Sequence, residues 1–163
     1  MSEERRMSDA GLALIHEFEQ GPDGGFASMP YKDWAGVKTI GWGHAIKPGE
    51  CFGIPLTAEQ AGALLREDIA DFEDAVNRAV SVPLTQSMFD ALVCFAFNVG
   101  TGNSAMSTLL RLLNQRYYAA AANQFGRWNK STNPATGKKE PLRGLTRRRG
   151  AEKSLFEREG MTP

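Results

Sequence analysis

Residues 31–44 read YKDWAGVKTIGWGH, and the rest of the chain is best understood outward from this stretch. Its alternation of polar and apolar residues around a central WAGV predicts a hairpin, with Tyr31–Asp33 on one side and Val37–Trp42 on the other. Gly41 and Gly43 interrupt the second strand, as glycines do where another backbone or a ligand approaches closely. Two tryptophans, an acid, a threonine and one of the chain's two histidines give the segment more chemistry than a connecting hairpin requires.

Upstream, QGPDGGFASMP is read as irregular, because Pro22, Gly24, Gly25 and Pro30 break both helix and strand. Before it, Ser8 to Glu19 is predicted to be a helix: Ser8 is a suitable N-cap, Asp9 lies in the first turn, and Leu12, Ile15 and Phe18 recur at helical spacing. Leu12, Ile15 and Glu19 stand at i, i+3 and i+7, which puts Glu19 at the helix end on or beside its apolar side. A charge there is costly to bury. Such a glutamate is either a fraying helix end or a carboxyl kept partly desolvated for a purpose.

Downstream, Thr57 and Gln60 form a capping box that opens a helix running to about Val80. Ala61, Leu64, Leu65, Ile69, Phe72, Val76 and Val80 trace its apolar stripe. Pro83 separates it from a second helix capped by Thr85, whose run Ala91–Phe97 is apolar all round and predicts burial. SAMSTLLRLLNQ, YYAAAANQFGRW and LRGLTRRRGAEKSLFERE are three further helical segments, the last two separated by the turn-rich NKSTNPATGKKEP. The expected fold is α+β and predominantly helical, organised as a small N-terminal lobe (1–56), a connecting helix (57–80) and a helical lobe (81–163). These form one domain, with a cleft expected between the lobes.

With 163 residues, 42% of them hydrophobic, the chain has enough apolar material for one core. No stretch approaches eighteen consecutive apolar residues and MSEERRMSDA lacks an apolar leader, so neither a membrane span nor an export signal is expected, and synthesis in a cytoplasm is. Cys51 and Cys94 form neither a disulfide framework nor a metal signature, and Cys94, inside ALVCFAF, is expected to be a buried thiol. His16 and His44 are too far apart for a zinc site with them. Net charge is zero, but residues 1–80 balance to −7 and residues 81–163 to +7. A basic half of this kind can attract an anionic polymer or envelope, or be only a solvated helix face. No nucleic-acid module is recognisable, so no nucleic-acid partner is expected.

The carboxylates Glu19 and Asp33, with Thr39 nearby, offer what glycoside hydrolysis needs: one acid to protonate the leaving oxygen and one ionised group to activate water or attack the sugar. The pattern LIHEFEQ … YKDWAGVKTIGWGH resembles the phage lysozyme family, glycoside hydrolase family 24. Its members carry F-E-G at the end of the first helix and a Y-x-D-x-x-G-x-x-T-I-G-x-G-H hairpin. LVCFAFNVG, STLLRLLN and GLTRRRGAEKSLF resemble further segments of that family, so the similarity spans roughly residues 11 to 157. Gln20 replaces the family's glycine after the glutamate, and the loop from Glu19 to Asp33 is longer than in compact members.

The resemblance implies a lysozyme-like fold and hydrolysis of the β-1,4 bond between N-acetylmuramic acid and N-acetylglucosamine in peptidoglycan. Glu19 would be the general acid, Asp33 the second carboxylate acting through a water with inversion, and Thr39 would help position that water. Glu17, two residues away, points to another helix face. Asn98, Thr108 and Asn133 match family positions that bind the saccharide. Trp42 is a candidate to stack on a sugar or to sit in the core, and Asn98 is alternatively a helix C-cap. His44 is expected to hold the hairpin through a hydrogen bond, and at least one of Arg147, Arg148 and Arg149 to form an internal salt bridge. No metal or organic cofactor is implied. The chain is expected to be a monomeric endolysin for host lysis, released to the wall by a separate membrane-permeabilising protein such as a holin. A delivered antibacterial lysozyme or a non-catalytic wall-binding module are the alternatives.

Overall fold

The computed structural model describes residues 4–163 and is a mixed α+β fold, about half helical, with two small sheets. Its backbone divides into two compact units. One comprises Leu12–Asp71; the other comprises the residues up to Gly11 together with Phe72–Pro163.

Helix α1 spans Asp9–Phe18. The Leu12–Asp71 unit carries the greater part of it, followed by strands β1 (Ala27–Lys32), β2 (Lys38–Gly41) and β3 (His44–Ala45) and by the first part of helix α2 (Ala58–Ala79). The three strands form one antiparallel sheet in the order β1-β2-β3. Strand β1 begins at Ala27, within the segment read from sequence as irregular. Pro30 is tolerated because β1 is an edge strand, where a missing N–H costs no ladder bond, and the register shifts between Ala27 and Tyr31. Thr57 and Gln60 close the expected capping box: Thr57 N donates to Gln60 Oε1 at 2.9 Å and Gln60 N to Thr57 Oγ1 at 3.1 Å. Ile40, Leu56 and Ala61 are buried together, with Phe26, Trp42, Ile46, Phe52 and Leu64 packed around them.

The other unit is organised on helix α3 (Gln86–Val99), capped by Thr85 and buried continuously from Ser87 to Ala96. Helices α4 (Thr101–Ala105), α5 (Thr108–Asn114), α6 (Tyr118–Ala122) and α7 (Arg143–Glu157) and a 3₁₀ turn at Phe125–Trp128 complete it. The segment SAMSTLLRLLNQ is thus broken, because Ser107 accepts from Leu110 N and caps a new helix, while YYAAAANQFGRW tightens from α-helix into the 3₁₀ turn. NKSTNPATGKKEP, expected only as turns, holds a second hairpin of β4 (Lys130–Thr132) and β5 (Lys139–Pro141). Aromatic edges fill the core here, with Phe95 on Phe125 and on Trp128, each at 5.5 Å, and Phe125 on Phe156 at 5.6 Å.

Two of the three consecutive arginines are interior. Arg148 Nε and Arg149 Nη2 both donate to Glu152 Oε1, at 3.2 and 2.8 Å, and Arg148 Nη2 donates to Cys94 O at 3.1 Å. Burial pushes the Cys94 thiol up, as befits a structural cysteine. Of the twelve bases and five acids in residues 81–163, Arg148 and Arg149 lie inside with Asp90 and Glu152, so the excess of +7 is carried by the remaining residues.

Candidate active site

Within the Leu12–Asp71 unit lie Glu19, just past the end of α1, and Tyr31, Asp33 and Thr39 of the β1–β2 hairpin. Burial raises the Tyr31 hydroxyl above its ordinary value, and the charges of Glu19 and Asp33 raise it further. Tyr31 lies across from Thr39 in the β1–β2 ladder. Cross-strand partners share a sheet face, so the threonine belongs to the same side as the phenol. Tyr31 stood in the quoted motif without an assigned role; its position near the end of β1, two residues before Asp33 of the turn, was the available signal.

Glu19 directly follows α1, and its N–H donates to Ile15 O at 2.8 Å, extending the helical ladder by one residue. It packs on the turn between β2 and β3. A Cβ on Gly43 would stand 2.8 Å from Glu19 Oε2, and the Gly43 φ of +76° is itself one that side-chain-bearing residues rarely adopt. Only glycine satisfies both conditions. The close approach expected at Gly43 is therefore made by the carboxylate. At Gly41 no close approach occurs: a Cβ would meet Leu56 and Leu64 at ordinary contact distances of 3.5 and 3.6 Å, and it is the φ of +66° that favours glycine.

Asp33 is fixed by its own turn: Oδ1 accepts from Ala35 N at 2.9 Å and from Val37 N at 2.8 Å. Both bonds fall on one oxygen, which holds the carboxylate and leaves Oδ2 outside the turn. Thr39 is 4% exposed, and its hydroxyl donates to Val37 O at 2.9 Å. With its proton committed, Thr39 Oγ1 has lone pairs to offer and so acts as an acceptor.

His44 takes the structural part expected of it. Nδ1 meets Asp68 of α2 at 2.8 Å and Nε2 meets Glu50 at 2.9 Å, tying β3 to the helix and to the loop beyond it. Burial would lower the affinity of the ring for a proton, but the bonds to Glu50 and Asp68 outweigh it and the shift is upward. Burial also raises Asp68 despite its partner.

Trp42 is partly buried and packs with the core. Its ring stacks on His16 at 4.1 Å and 16° and packs on the Ile40 cluster. Asn98, Thr108 and Asn133 lie in the other unit. Asn98 is not the cap of α3, which is Gly100; its Oδ1 accepts from Arg149 Nη2 at 2.8 Å. Thr108 is exposed in the first turn of α5, just after the Ser107 cap. Asn133 is engaged within its hairpin, with Oδ1 accepting from Ala135 N at 2.9 Å and Nδ2 donating to Glu140 Oε2 at 3.1 Å. Among the described residues no group of three or more His, Cys, Asp or Glu is arranged to hold a metal ion.

A sequence model of the phage lysozyme family matches residues 22–152. The chain belongs to that family. It is 41% identical over 151 residues to an endolysin of Acyrthosiphon pisum secondary endosymbiont phage 1, covering 93% of this chain and 97% of the relative. Among solved structures, the muramidase domain of SpmX from Asticaccaulis excentricus superposes with a TM-score of 0.81 at 38% identity, covering 98% of this chain and 99% of that one. An endolysin from Escherichia coli O157:H7 phage FAHEc1 gives 0.84 at 35% identity, with 96% of each chain covered. Family membership makes the chain a lysozyme, a glycoside hydrolase that degrades peptidoglycan. Among the described residues no helix is long and apolar enough to cross a membrane.

Proposed function

We propose that the chain is a muramidase that hydrolyses the β-1,4 bond between N-acetylmuramic acid and N-acetylglucosamine, with Glu19 as general acid and Asp33 as general base. The observation that carries this reading is that Glu19 is seated on the β2–β3 turn at Gly43 while Asp33 is fixed in the β1–β2 turn of the same sheet. Glu19, held against the Gly43 backbone, gives its proton to the leaving glycosidic oxygen. Asp33, fixed through Oδ1, takes a proton from a water through Oδ2. The second hydrogen of that water points to Thr39 Oγ1, whose own proton is already donated to Val37 O. A water bound by both its hydrogens turns a lone pair toward the anomeric carbon, so the product has inverted configuration. Asn98, with its amide oxygen held by Arg149, and the exposed Thr108 are available to the saccharide; Asn133 is the weakest of the three because its amide already serves the hairpin.

The biological role that fits is monomeric endolysin action in host lysis, with access to the wall provided by a separate membrane-permeabilising protein. The exposed bases Lys130, Lys138, Lys139 and Arg143 supply attraction to an anionic envelope. The test is digestion of purified peptidoglycan by wild type, Glu19→Gln and Asp33→Asn, with mass spectrometry of the fragments and thermal unfolding of each protein. Wild type is expected to release fragments with reducing-end N-acetylmuramic acid. Folded Glu19→Gln and Asp33→Asn should release none; undiminished release by either variant refutes its assigned role.

A further inference from the structure

The β1–β2 turn carries a residue that its own geometry leaves unexplained. Asp33 Oδ1 binds Ala35 N and Val37 N, Asp33 O accepts from Gly36 N at 2.9 Å, and Gly36 supplies a φ of +80°. None of these bonds uses the side chain at position 34. Trp34 nevertheless stands there 95% exposed, its indole almost wholly in water. Tryptophan is highly buried on average, so one held in solvent on a tight turn contributes nothing to the core and is poised to cover apolar surface on something else.

The neighbour in the chain indicates what that surface is. Cα of Trp34 is about 3.8 Å from Cα of Asp33 across one peptide bond. Asp33 is locked in place, so the turn that carries both residues is rigid where a glycan strand is proposed to bind. Pyranose rings present a face of axial C–H groups, slightly positive and apolar, that matches the negative face of an indole, and a tryptophan loses little side-chain entropy on stacking. A lipid surface would call for a broad amphipathic helix face, whereas Trp34 sits on a turn with an acid beside it.

We propose that Trp34 is a sugar-stacking residue, its indole lying against the C–H face of a hexosamine ring in the glycan strand bound at Asp33. The inference rests on the muramidase reading for its substrate and adds a residue that determines how tightly that substrate is held. Trp34 touches no reacting atom. Its contribution is made alike in ground and transition states and appears in KM rather than kcat.

The experiment compares wild type with Trp34→Ala and Trp34→Phe in three measurements. These are kcat and KM on purified peptidoglycan, tryptophan emission during titration with N-acetylglucosamine oligosaccharides, and thermal unfolding. Removing one stacked indole face, on the order of 50 Å² at about 25 cal/mol/Å², is expected to raise KM roughly tenfold. For Trp34→Ala, kcat and Tm should stay near wild type, and Trp34→Phe should recover most of the loss. The oligosaccharides should shift wild-type emission and leave that of Trp34→Phe, which keeps Trp42 and Trp128, nearly unchanged. Unchanged KM in Trp34→Ala, a kcat loss equal to the KM change, or emission that responds to anionic phospholipid vesicles but not to sugar overturns the assignment. If wild type cleaves no glycan, the muramidase reading fails by itself, and the emission titration still decides whether Trp34 binds sugar.

Discussion

Gly43→Ala separates the placement of Glu19 from the stability of the sheet. The substitution has two costs of different kinds. The first is backbone strain: an L residue at φ +76° costs about 1–2 kcal/mol in the left-handed region. For a chain of this length each kcal/mol lowers Tm by about 2–4 °C, so a fall of roughly 2–8 °C is expected. The second is steric. The new methyl would stand 2.8 Å from Glu19 Oε2, with Glu19 Cβ and Cδ at 3.5 and 3.6 Å. The clashing oxygen is the far end of a flexible side chain, so the carboxyl rotates away and the fold survives. Displacing a reacting group by about 1 Å costs on the order of 100-fold in rate, and kcat should fall by about that factor. Gly49→Ala is the control, with a φ of +85° and nothing within 4 Å of its would-be Cβ. Its Tm should fall by a similar amount while kcat is retained. The assay is release of reducing ends from saturating peptidoglycan beside thermal unfolding of both variants. Full kcat in Gly43→Ala, or an equal loss in Gly49→Ala, would refute the reasoning.

The remaining predictions concern the water site, the buried ion cluster and the histidine. Thr39→Val, which removes the proposed acceptor for the attacking water, is expected to lower kcat at least about tenfold, and Thr39→Ser to retain most of the rate; equal kcat in the two variants argues against a role for the hydroxyl. Glu152→Ala leaves Arg148 and Arg149 buried without their shared carboxylate and should cost about 3–5 kcal/mol in urea unfolding. Lys153→Ala, at a surface pair 3.8 Å apart, should change stability by less than about 1 kcal/mol, and comparable losses in the two would contradict the buried network. The upward shift of His44 means that the folded state binds its proton more tightly than the unfolded chain does. The stabilisation is therefore complete below the unfolded value of about 6.5 and is lost as pH rises through the folded value. The Tm advantage of wild type over His44→Gln should accordingly be largest near about pH 5 and shrink toward pH 8; an advantage constant across that window would sink the linkage.

Much of the fold was legible because its signals act over a few residues. The capping box of Thr57 and Gln60, the Thr85 cap, the stripe of α2 and the apolar run of α3 are local bonds and local periodicities, and each forms as read. The hairpin motif likewise placed Asp33 and Thr39 by spacing alone, since turn chemistry and strand alternation fix their positions. Burial and convergence depend on partners far along the chain, and there sequence reading ran out. Arg149 looks like a solvent residue until Glu152 and Asn98 accept from its Nη2 and Phe95 underlies its guanidinium at 5.2 Å. Pro30 reads as a breaker until an edge position excuses its missing N–H. Of the hairpin's two tryptophans, sequence left Trp42 open between the sugar and the core; in the fold it packs against His16 and the core, while Trp34 stands in water. The sequence by itself determined which carboxylates and which hydroxyl the chain carries and the local structures that present them. Only the tertiary structure brought Glu19 against Gly43, because the approach of a helix end to a hairpin is decided by core packing that no short window of residues encodes.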